Sequence, residues 1–169
     1  MAALAKAHIS EPIDEQQTLR QQYLESLNLM ERLHRQLLDV IKDELDRQGE
    51  REINSVQALL LFNIGPQQLT AGELRTRGHY LGSNVSYNLK KLVEMDYIHH
   101  KRSEIDRRSV HVSLTKKGMQ IHDLVAGLFE RHLQSLEAVG NVMASDFEEL
   151  NVSLRRLERF WLDQVRYRL

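Results

Sequence analysis

A short run of polar side chains has the chemistry to read the base edges of DNA. Residues 83–88 hold hydroxyl and amide groups that donate and accept hydrogen bonds, with an aromatic ring that can meet a thymine methyl group or a phosphate. Two lysines follow about a turn later, where phosphate contact suits them. The candidates for base contact are Ser83, Asn84, Ser86, Tyr87 and Asn88, and those for phosphate contact are Lys90 and Lys91. The structural alternative is that Ser83 only caps a helix and that the lysines are solvated.

A second charged cluster, residues 104–108, places two arginines beside an aspartate. An arginine on an exposed turn can enter the minor groove, where narrow A·T tracts concentrate negative potential. Asp106 is two residues from Arg108 and can hold its guanidinium by a charge-assisted hydrogen bond. We therefore expect Arg107 or Arg108 to contact DNA, with Asp106 orienting the arginine. The alternative is a hairpin turn closed by an Asp–Arg pair that has no part in binding.

Charge is strongly segregated along the chain. The 169 residues carry 23 Lys and Arg against 24 Asp and Glu, for a net charge of −1. Residues 70–120 hold ten Lys or Arg and five Asp or Glu, a net of +5, so the remainder, with 13 against 19, carries −6. Arg75 lies in the basic part and is a further candidate for DNA contact. A basic face on a compact module is typical of nucleic-acid binding, although a solvated basic surface gives the same count.

Local patterns place the polar run on the second helix of a helix-turn-helix. Thr70–Glu73 has the spacing of a capping box for a short helix that ends near Gly78. Ser83 begins another helix, which runs to about Met95 and would enter the major groove. Asp96 follows where the chain must turn, and aspartate tolerates the left-handed conformation better than most residues.

The hydrophobic period changes after this helix. Residues 97–102 are compatible with a strand, residues 103–107 are polar and turn-like, and residues 109–114 alternate polar with apolar. Together they predict a hairpin with a charged tip. A hairpin beside a helix-turn-helix is the wing of a winged helix.

Apolar residues at three- or four-residue steps predict a long helix over residues 15–48, ended by Gly49. A shorter apolar helix runs from Val56 to Ile64 and is stopped by Gly65 and Pro66. The first helix exceeds the ordinary globular length. It therefore predicts an arm that packs on a second copy.

Two more helices are predicted at the C-terminal side. Thr115 caps a long helix that breaks at residues 140–141, and Ser145–Glu148 has the spacing of a capping box for the last one. The expected buried face of this last helix consists of Phe147, Leu150, Leu154, Leu157, Trp161 and Val165. The fold class is thus mainly α with a small β-hairpin wing. We expect a winged helix-turn-helix lobe at residues 50–114, a helical dimerisation region at residues 15–48 and 115–169, and a flexible segment at residues 1–14.

These motifs resemble a known family. Asp106-x-Arg108, followed five residues later by Leu114-Thr115-x-x-Gly118, resembles the wing signature of the MarR family of transcriptional regulators. Thr70 to Leu74 is similar to the first helix of that family's helix-turn-helix. Val85 to Leu92 and Met95 to Ile98 are similar to its recognition helix and exit turn. The resemblance covers roughly residues 20–165.

The resemblance implies a homodimer, or a higher oligomer, in which two winged-helix lobes read a pseudo-palindromic operator in double-stranded DNA. It also implies a repressor released by a small, often aromatic or phenolic, effector. Two departures affect operator preference: the common Thr-Arg pair of the recognition helix is Ser86-Tyr87, and the usual glycine of the exit turn is Asp96. The turn before Ser83 is also about one residue longer.

The family's effector site implies a pocket between the lobe and the dimerisation helices. Its walls would come from residues 23–33 of the first helix, residues 56–62 of the next and the start of the recognition unit. The candidates are Arg20, Tyr23, Met30, Gln57 and Phe62. The alternative for each of them is a core side chain.

The sequence lacks the motifs of several functional classes. The chain has no cysteine, which excludes disulfides, thiolate metal sites and sensing through its own thiol. It has no Gly-rich phosphate loop, nucleophile elbow or metalloprotease histidine pair, so we expect neither an enzyme nor a cofactor. His99 and His100 are adjacent, hence on opposite strand faces, and no metal site is expected. His34 and His132 interrupt apolar stripes and are expected to be buried or at an interface.

A cytoplasmic protein without a membrane partner is expected, because neither a signal-peptide core nor a stretch of ~18 apolar residues occurs. The main hypothesis is a sequence-specific DNA-binding regulator. The second is a helical dimer whose basic lobe docks RNA or an acidic protein. The salt dependence and sequence preference of duplex binding distinguish the two.

Overall fold

Helices dominate the chain in the computed structural model, which describes residues 15–70, 73, 82–102 and 110–167. Within those residues the elements are α1 Glu15–Arg47, α2 Ser55–Ile64, β1 Leu69–Thr70, α3 Gly82–Glu94, β2 Ile98–Arg102, β3 Val110–Leu114, α4 Lys116–Gly140 and α5 Ala144–Tyr167. The predicted fold class is confirmed. The chain divides into two compact units, Met1–Ser55 and Val56–Leu169. The segment predicted to be flexible, residues 1–14, lies outside the described residues.

The first unit is built around α1, whose bounds match the predicted long helix to within a residue. Gly49 ends it as expected: its φ is +76°, and the Glu50 N–H donates to the Leu45 carbonyl at 2.9 Å. The buried apolar residues of this fully described helix, Ile41 and Leu45, both lie near its C-terminus. The N-terminal part of the apolar stripe stays open, and Leu19 is 71% exposed.

The second unit begins with α2, a helix that is apolar around most of its circumference. Such a helix belongs inside a core. Its buried residues are Gln57, Ala58, Leu59, Leu60, Leu61 and Ile64. Gly65 ends it at a φ of +65°, with its N–H donating to the Leu61 carbonyl at 3.2 Å, as the Gly-Pro pair predicts.

A three-stranded antiparallel sheet in the order β1-β3-β2 forms the wing. β2 and β3 pair along their whole length, which confirms the predicted hairpin strands. The sequence does not predict β1, because a two-residue strand is too short to show alternation. Leu69 of β1 pairs with Val112, and both are buried together with Ile98. α3 packs on β2 and α4 packs on β3, so the sheet connects the two helices that concern the site.

The predicted capping box at Thr70 and Glu73 is confirmed. Thr70 Oγ1 accepts the Glu73 N–H at 3.1 Å, and Glu73 Oε2 accepts the Thr70 N–H at 2.7 Å. Each side chain thus satisfies a backbone donor of the other residue. The helix predicted to follow this box lies outside the described residues.

Helix α5 begins earlier and is more exposed than predicted. Its start is capped by Asp146, whose carboxylate accepts the Met143 N–H at 2.7 Å, so the predicted capping box of Ser145 and Glu148 is wrong. The Met143 side chain has no oxygen that could accept a backbone N–H in the way a serine or threonine cap does. Only Asp146 therefore caps the helix, and a single capping residue gives no capping-box pattern in the sequence. Across Ala144–Tyr167, all of which the structure describes, no residue is buried. The face predicted to be buried is therefore open in the single chain.

Candidate nucleic-acid interface

Helix α3 buries one side and presents the other to solvent. Leu89 and Leu92 are buried, whereas Tyr87 is 63% exposed and Ser86 is exposed. Asn88 is half-buried. The amphipathic pattern of the sequence therefore leaves the predicted contact residues Ser86 and Tyr87 accessible from outside the lobe.

The first turn of α3 contains the remaining predicted base-contact residues. The helix begins at Gly82, one residue before the predicted start, so Ser83 and Asn84 fall within the turn nearest the N-terminus. This is the part of a recognition helix that meets base edges in helix-turn-helix proteins. The side chains of these two residues lie outside what the structure describes.

The two lysines predicted to contact phosphates share an acidic neighbour. Lys91 Nζ lies 3.2 Å from a Glu94 carboxylate oxygen, and Lys90 Nζ lies 3.9 Å from the other. All three side chains are at least 46% exposed, so each ion pair contributes about 0–1 kcal/mol. These pairs are not among the sequence-based predictions, although the i,i+3 and i,i+4 spacings are a visible signal for them.

The C-terminal end of α3 is tied to the start of α4 through three consecutive carbonyl groups. The Met95 carbonyl accepts from Lys117 Nζ at 3.2 Å. The Asp96 carbonyl accepts from Thr115 Oγ1 at 2.7 Å, and the Tyr97 carbonyl accepts from the Thr115 N–H at 3.1 Å. Asp96 has a φ of +61°, which confirms the predicted left-handed turn. We call this contact between residues 95–97 and 115–118 the α3–α4 joint.

Thr115 and Gly118 allow the close approach at the joint. Thr115 is the N-cap of α4, as predicted, and its Oγ1 accepts the Gly118 N–H at 3.1 Å. A Cβ atom added to Gly118 would overlap the backbone carbonyl oxygen of Tyr97. The Leu-Thr-x-x-Gly part of the signature therefore has a steric reason: glycine leaves room for the turn that follows α3.

The tip of the wing lies outside the described residues. The predicted DNA contacts Arg107 and Arg108, the orienting Asp106, and Arg75 all fall in segments that the structure does not describe. The strands that carry the tip are described. In them Lys101 is exposed and pairs with His111 across β2 and β3.

The predicted effector-site residues belong to different units. On α1, Arg20 and Tyr23 are exposed and Met30 is half-buried. On α2, Gln57 is buried and Phe62 is half-buried. Each residue lies on the predicted helix. A shared pocket between them stays a prediction.

Phe62 belongs to an aromatic cluster that was not predicted from the sequence. Its ring stacks on His122 with centroids 5.6 Å apart and meets Phe129 edge-on at 5.0 Å. His122 Nδ1 also lies 3.0 Å from the carboxylate of Asp123. His122 and Phe129 are seven residues apart on α4, a spacing that places them on one side of the helix and is the available sequence signal.

The other histidines give no metal cluster among the described residues. His34 and His132 are both exposed, so burial within the single chain is wrong for them, and the alternative position at an interface stays a prediction. Within the described residues, no helix is long and apolar enough to cross a membrane.

Sequence comparison agrees with this geometry. A family profile described as "Winged helix DNA-binding domain" matches residues 53–118. The chain is 38% identical over 151 residues to the exopolysaccharide II synthesis transcriptional activator ExpG of Rhizobium meliloti (strain 1021). That match covers 86% of this chain and 74% of the relative.

Structure comparison shows the same fold. AbsC, a MarR family transcriptional regulator from Streptomyces coelicolor, matches with a TM-score of 0.64 and 19% identity, over 92% of this chain and 99% of that one. Streptococcus pneumoniae FabT in complex with DNA matches with a TM-score of 0.63 and 22% identity, over 83% and 98%. A mutant of E. coli MarR complexed with operator DNA matches with a TM-score of 0.62 and 21% identity, over 77% and 91%.

Proposed function

Because this chain belongs to the MarR family of winged-helix transcriptional regulators, it is a DNA-binding regulator, and we propose that it acts as a homodimer on a pseudo-palindromic duplex operator. Each protomer would present α3 to the major groove and the tip of the wing to the adjacent minor groove. Binding is then the whole activity, with no catalytic step and no cofactor. The proposed location is the cytoplasm.

The main observation in support of the proposal is that one side of α3 is exposed to solvent while the other is buried. Tyr87 and Lys90 project from a helix whose Leu89 and Leu92 are buried, so the helix is anchored on one side and accessible on the other. A surface of short polar groups, one aromatic ring and two lysines fits base edges flanked by phosphates. The solved DNA complexes of proteins with this fold support the same use of the lobe.

The proposed wing contacts rest on the Asp-x-Arg signature. Arg107 or Arg108 would insert into the minor groove, with Asp106 orienting the guanidinium, and Arg75 would contact phosphate. Arg108→Ala is expected to weaken operator binding several-fold without changing the oligomeric state. An unchanged affinity in an anisotropy titration would refute the wing assignment.

The homodimer is supported by apolar side chains that the single chain leaves open. They lie on α1 and α5, which flank the lobe in the sequence, and include Leu19, Leu33, Phe147, Leu150, Leu154 and Trp161. Exposed apolar area of this extent on helices marks a protein interface. The same surfaces would allow a tetramer, which sedimentation at several concentrations distinguishes from a dimer.

Control by a small aromatic or phenolic effector is the part of the proposal that rests on family resemblance. Its proposed walls are Arg20, Tyr23, Met30, Gln57 and Phe62. A panel of phenols and aromatic carboxylates should contain a compound that raises the melting temperature and also releases the duplex. A panel in which no compound does both would argue against effector control.

The protein could act either as a repressor or as an activator of transcription, and each role has support. Repression is the first, on the family resemblance. Activation is favoured by the name of the Rhizobium meliloti relative, a transcriptional activator. Transcription in vitro from a promoter with the operator at its natural position decides between them, because added protein lowers transcript yield in one case and raises it in the other.

Selection from a random-sequence duplex pool tests the proposed function, followed by anisotropy titrations at several salt concentrations. We expect one inverted repeat to be enriched, and the logarithm of its binding constant to fall with log salt by about 0.9 for each phosphate contact. The alternative, a lobe that docks RNA or an acidic protein, predicts no enriched duplex and equal affinity for all DNA sequences. Either of these results would refute the operator proposal.

A further inference from the structure

Lys117 is not one of the predicted DNA contacts, yet its side chain makes two contacts just after the end of α3. Its ammonium nitrogen lies 3.2 Å from the Met95 carbonyl oxygen and 4.2 Å from the centroid of the Tyr97 ring. Lys117 is half-buried in the first turn of α4, and Tyr97 is fully buried. The ammonium therefore bridges the exit turn of one helix and the start of the next.

Electrostatics favours a cation at this position. The carbonyl groups at the C-terminus of a helix carry partial negative charge, and lysine side chains can satisfy them. The face of an aromatic ring also attracts an ammonium group. Met95 directly follows the last residue of α3 and Tyr97 ends the turn, so a single charge acts on both sides of Asp96.

Apart from the packing of each helix on the sheet, the other hydrogen bonds of the α3–α4 joint converge on two neighbouring carbonyl groups and constrain position more than angle. Thr115 holds the carbonyl groups of Asp96 and Tyr97, which are neighbours in the chain, and therefore acts as a pivot. Lys117 adds a contact with the Met95 carbonyl, one residue before Asp96, and a contact with the Tyr97 ring, one residue after it. Its contacts with Met95 and the Tyr97 ring oppose a rotation of α3 relative to α4.

We propose that Lys117 is a positioning residue that sets the angle between α3 and α4 and thereby matches the two recognition helices of a dimer to the half-site spacing of the operator. This inference rests on the proposed function. The 13 residues of α3 span about 20 Å at a rise of about 1.5 Å per residue. A rotation of about 10° at the joint would thus displace the far end by about 3 Å, close to the ~3.4 Å between successive base pairs.

The test uses the full-length protein and three duplexes of equal length. The first is the sequence that the wild type enriches from a random pool, the second has one base pair inserted between its half-sites, and the third is scrambled. The variants are Lys117→Met, which keeps an apolar stem without the charge, and Lys117→Arg, which keeps a cationic donor. Lys116→Met is the matched control, because it removes the same charge from the adjacent, exposed position.

Lys117→Met should weaken binding to the enriched duplex about tenfold, which is the size of the effect of one mismatched base pair. Its affinity for the scrambled duplex should stay within about twofold of the wild-type value. Its preference over the duplex with the inserted base pair should fall, and Lys117→Arg should restore that preference. Lys116→Met should change binding to all three duplexes by one common factor, because the loss of a surface charge carries no sequence information.

Two results would overturn the inference while the proposed function stands: Lys117→Met weakens all three duplexes by one common factor, or it keeps the wild-type spacing preference. If the wild type enriches no duplex, the proposed function fails and the inference falls with it. Lys117→Gln removes the charge that faces the Tyr97 ring and shortens the reach toward the Met95 carbonyl by one atom, but it stays polar, so it serves if the Met variant melts below the assay temperature. An unchanged spacing preference in Lys117→Gln would also overturn the inference.

Discussion

Thr115 Oγ1 donates a 2.7 Å hydrogen bond to the backbone carbonyl of Asp96, 19 residues earlier in the chain. The same oxygen accepts the Gly118 N–H, so one hydroxyl closes the turn after α3 and caps the start of α4. Asp96 adopts a left-handed conformation that brings its carbonyl within reach. Helices α3 and α4 are therefore joined by a polar contact, in addition to the packing of each helix on the sheet.

Replacing Thr115 by valine should destabilise the lobe by at least about 2 kcal/mol. The substitution preserves shape but removes the N-cap acceptor, worth about 1 kcal/mol, and leaves the Asp96 carbonyl without its donor, worth about 1–3 kcal/mol. Thr115 is buried, so water does not readily replace the hydroxyl. Urea unfolding followed by circular dichroism, at one protein concentration for all variants, measures the loss.

Thr115→Ser is the control for that substitution, because it restores the hydroxyl and removes only a methyl group. Its free energy of unfolding should lie close to the wild-type value. Equal stability of the valine and serine variants would show that the hydroxyl does not hold the joint.

Gly118→Ala should also destabilise the protein, by about 1–3 kcal/mol, because the added methyl group meets the backbone carbonyl of Tyr97 and cannot be accommodated by a side-chain movement. Gly127→Ala, in the same helix, is the matched control. Its added carbon would lie 3.6 Å from the flexible end of Arg131, an ordinary contact. It should raise stability by about 0.5–1 kcal/mol, as alanine does in a helix interior. Similar effects of the two substitutions in the unfolding assay would contradict the steric argument.

Local signals were sufficient for most helix ends. Gly49, Gly65 and Asp96 each adopt the positive φ that their position in the sequence predicts. Thr115 and the Thr70–Glu73 box cap as their spacing predicts. In each case the determinant lies within a few residues of the end itself, so a single sequence contains it.

Features that depend on distant residues were not predictable in the same way. The contact between Lys117 and Met95 joins residues 22 apart and exists only after the hairpin has folded back. The strand β1 consists of two residues that pair with β3 across more than forty positions, so no local period reveals it. The apolar face of α5 is visible in the sequence, but a single sequence does not reveal what covers it.

Glu94→Gln should tighten binding to duplex DNA. The substitution removes the carboxylate that both Lys90 and Lys91 approach, and it raises the net charge of α3, the proposed recognition helix, by one. The surface ion pairs contribute about 0–1 kcal/mol, so little stability is lost. We expect the affinity for duplex DNA to rise severalfold at low salt. This gain should fade as the Debye length shortens to ~8 Å near 0.15 M salt. Glu149→Gln on α5 makes the same charge change outside the lobe and should have a smaller effect; equal effects would argue against an interface at α3.

Leu154→Glu should convert the proposed dimer into monomers, because it places a carboxylate in the apolar stripe of α5, where burial without a partner costs several kcal/mol. Val152→Glu is the matched control: both side chains are 37% exposed in the single chain, and residues two apart on a helix face different directions. Val152 lies outside the predicted stripe, so this variant should remain dimeric. Sedimentation velocity measures the association, and far-UV circular dichroism confirms the helical content. Dissociation of both variants, or of neither, would place the dimer interface elsewhere than on this stripe.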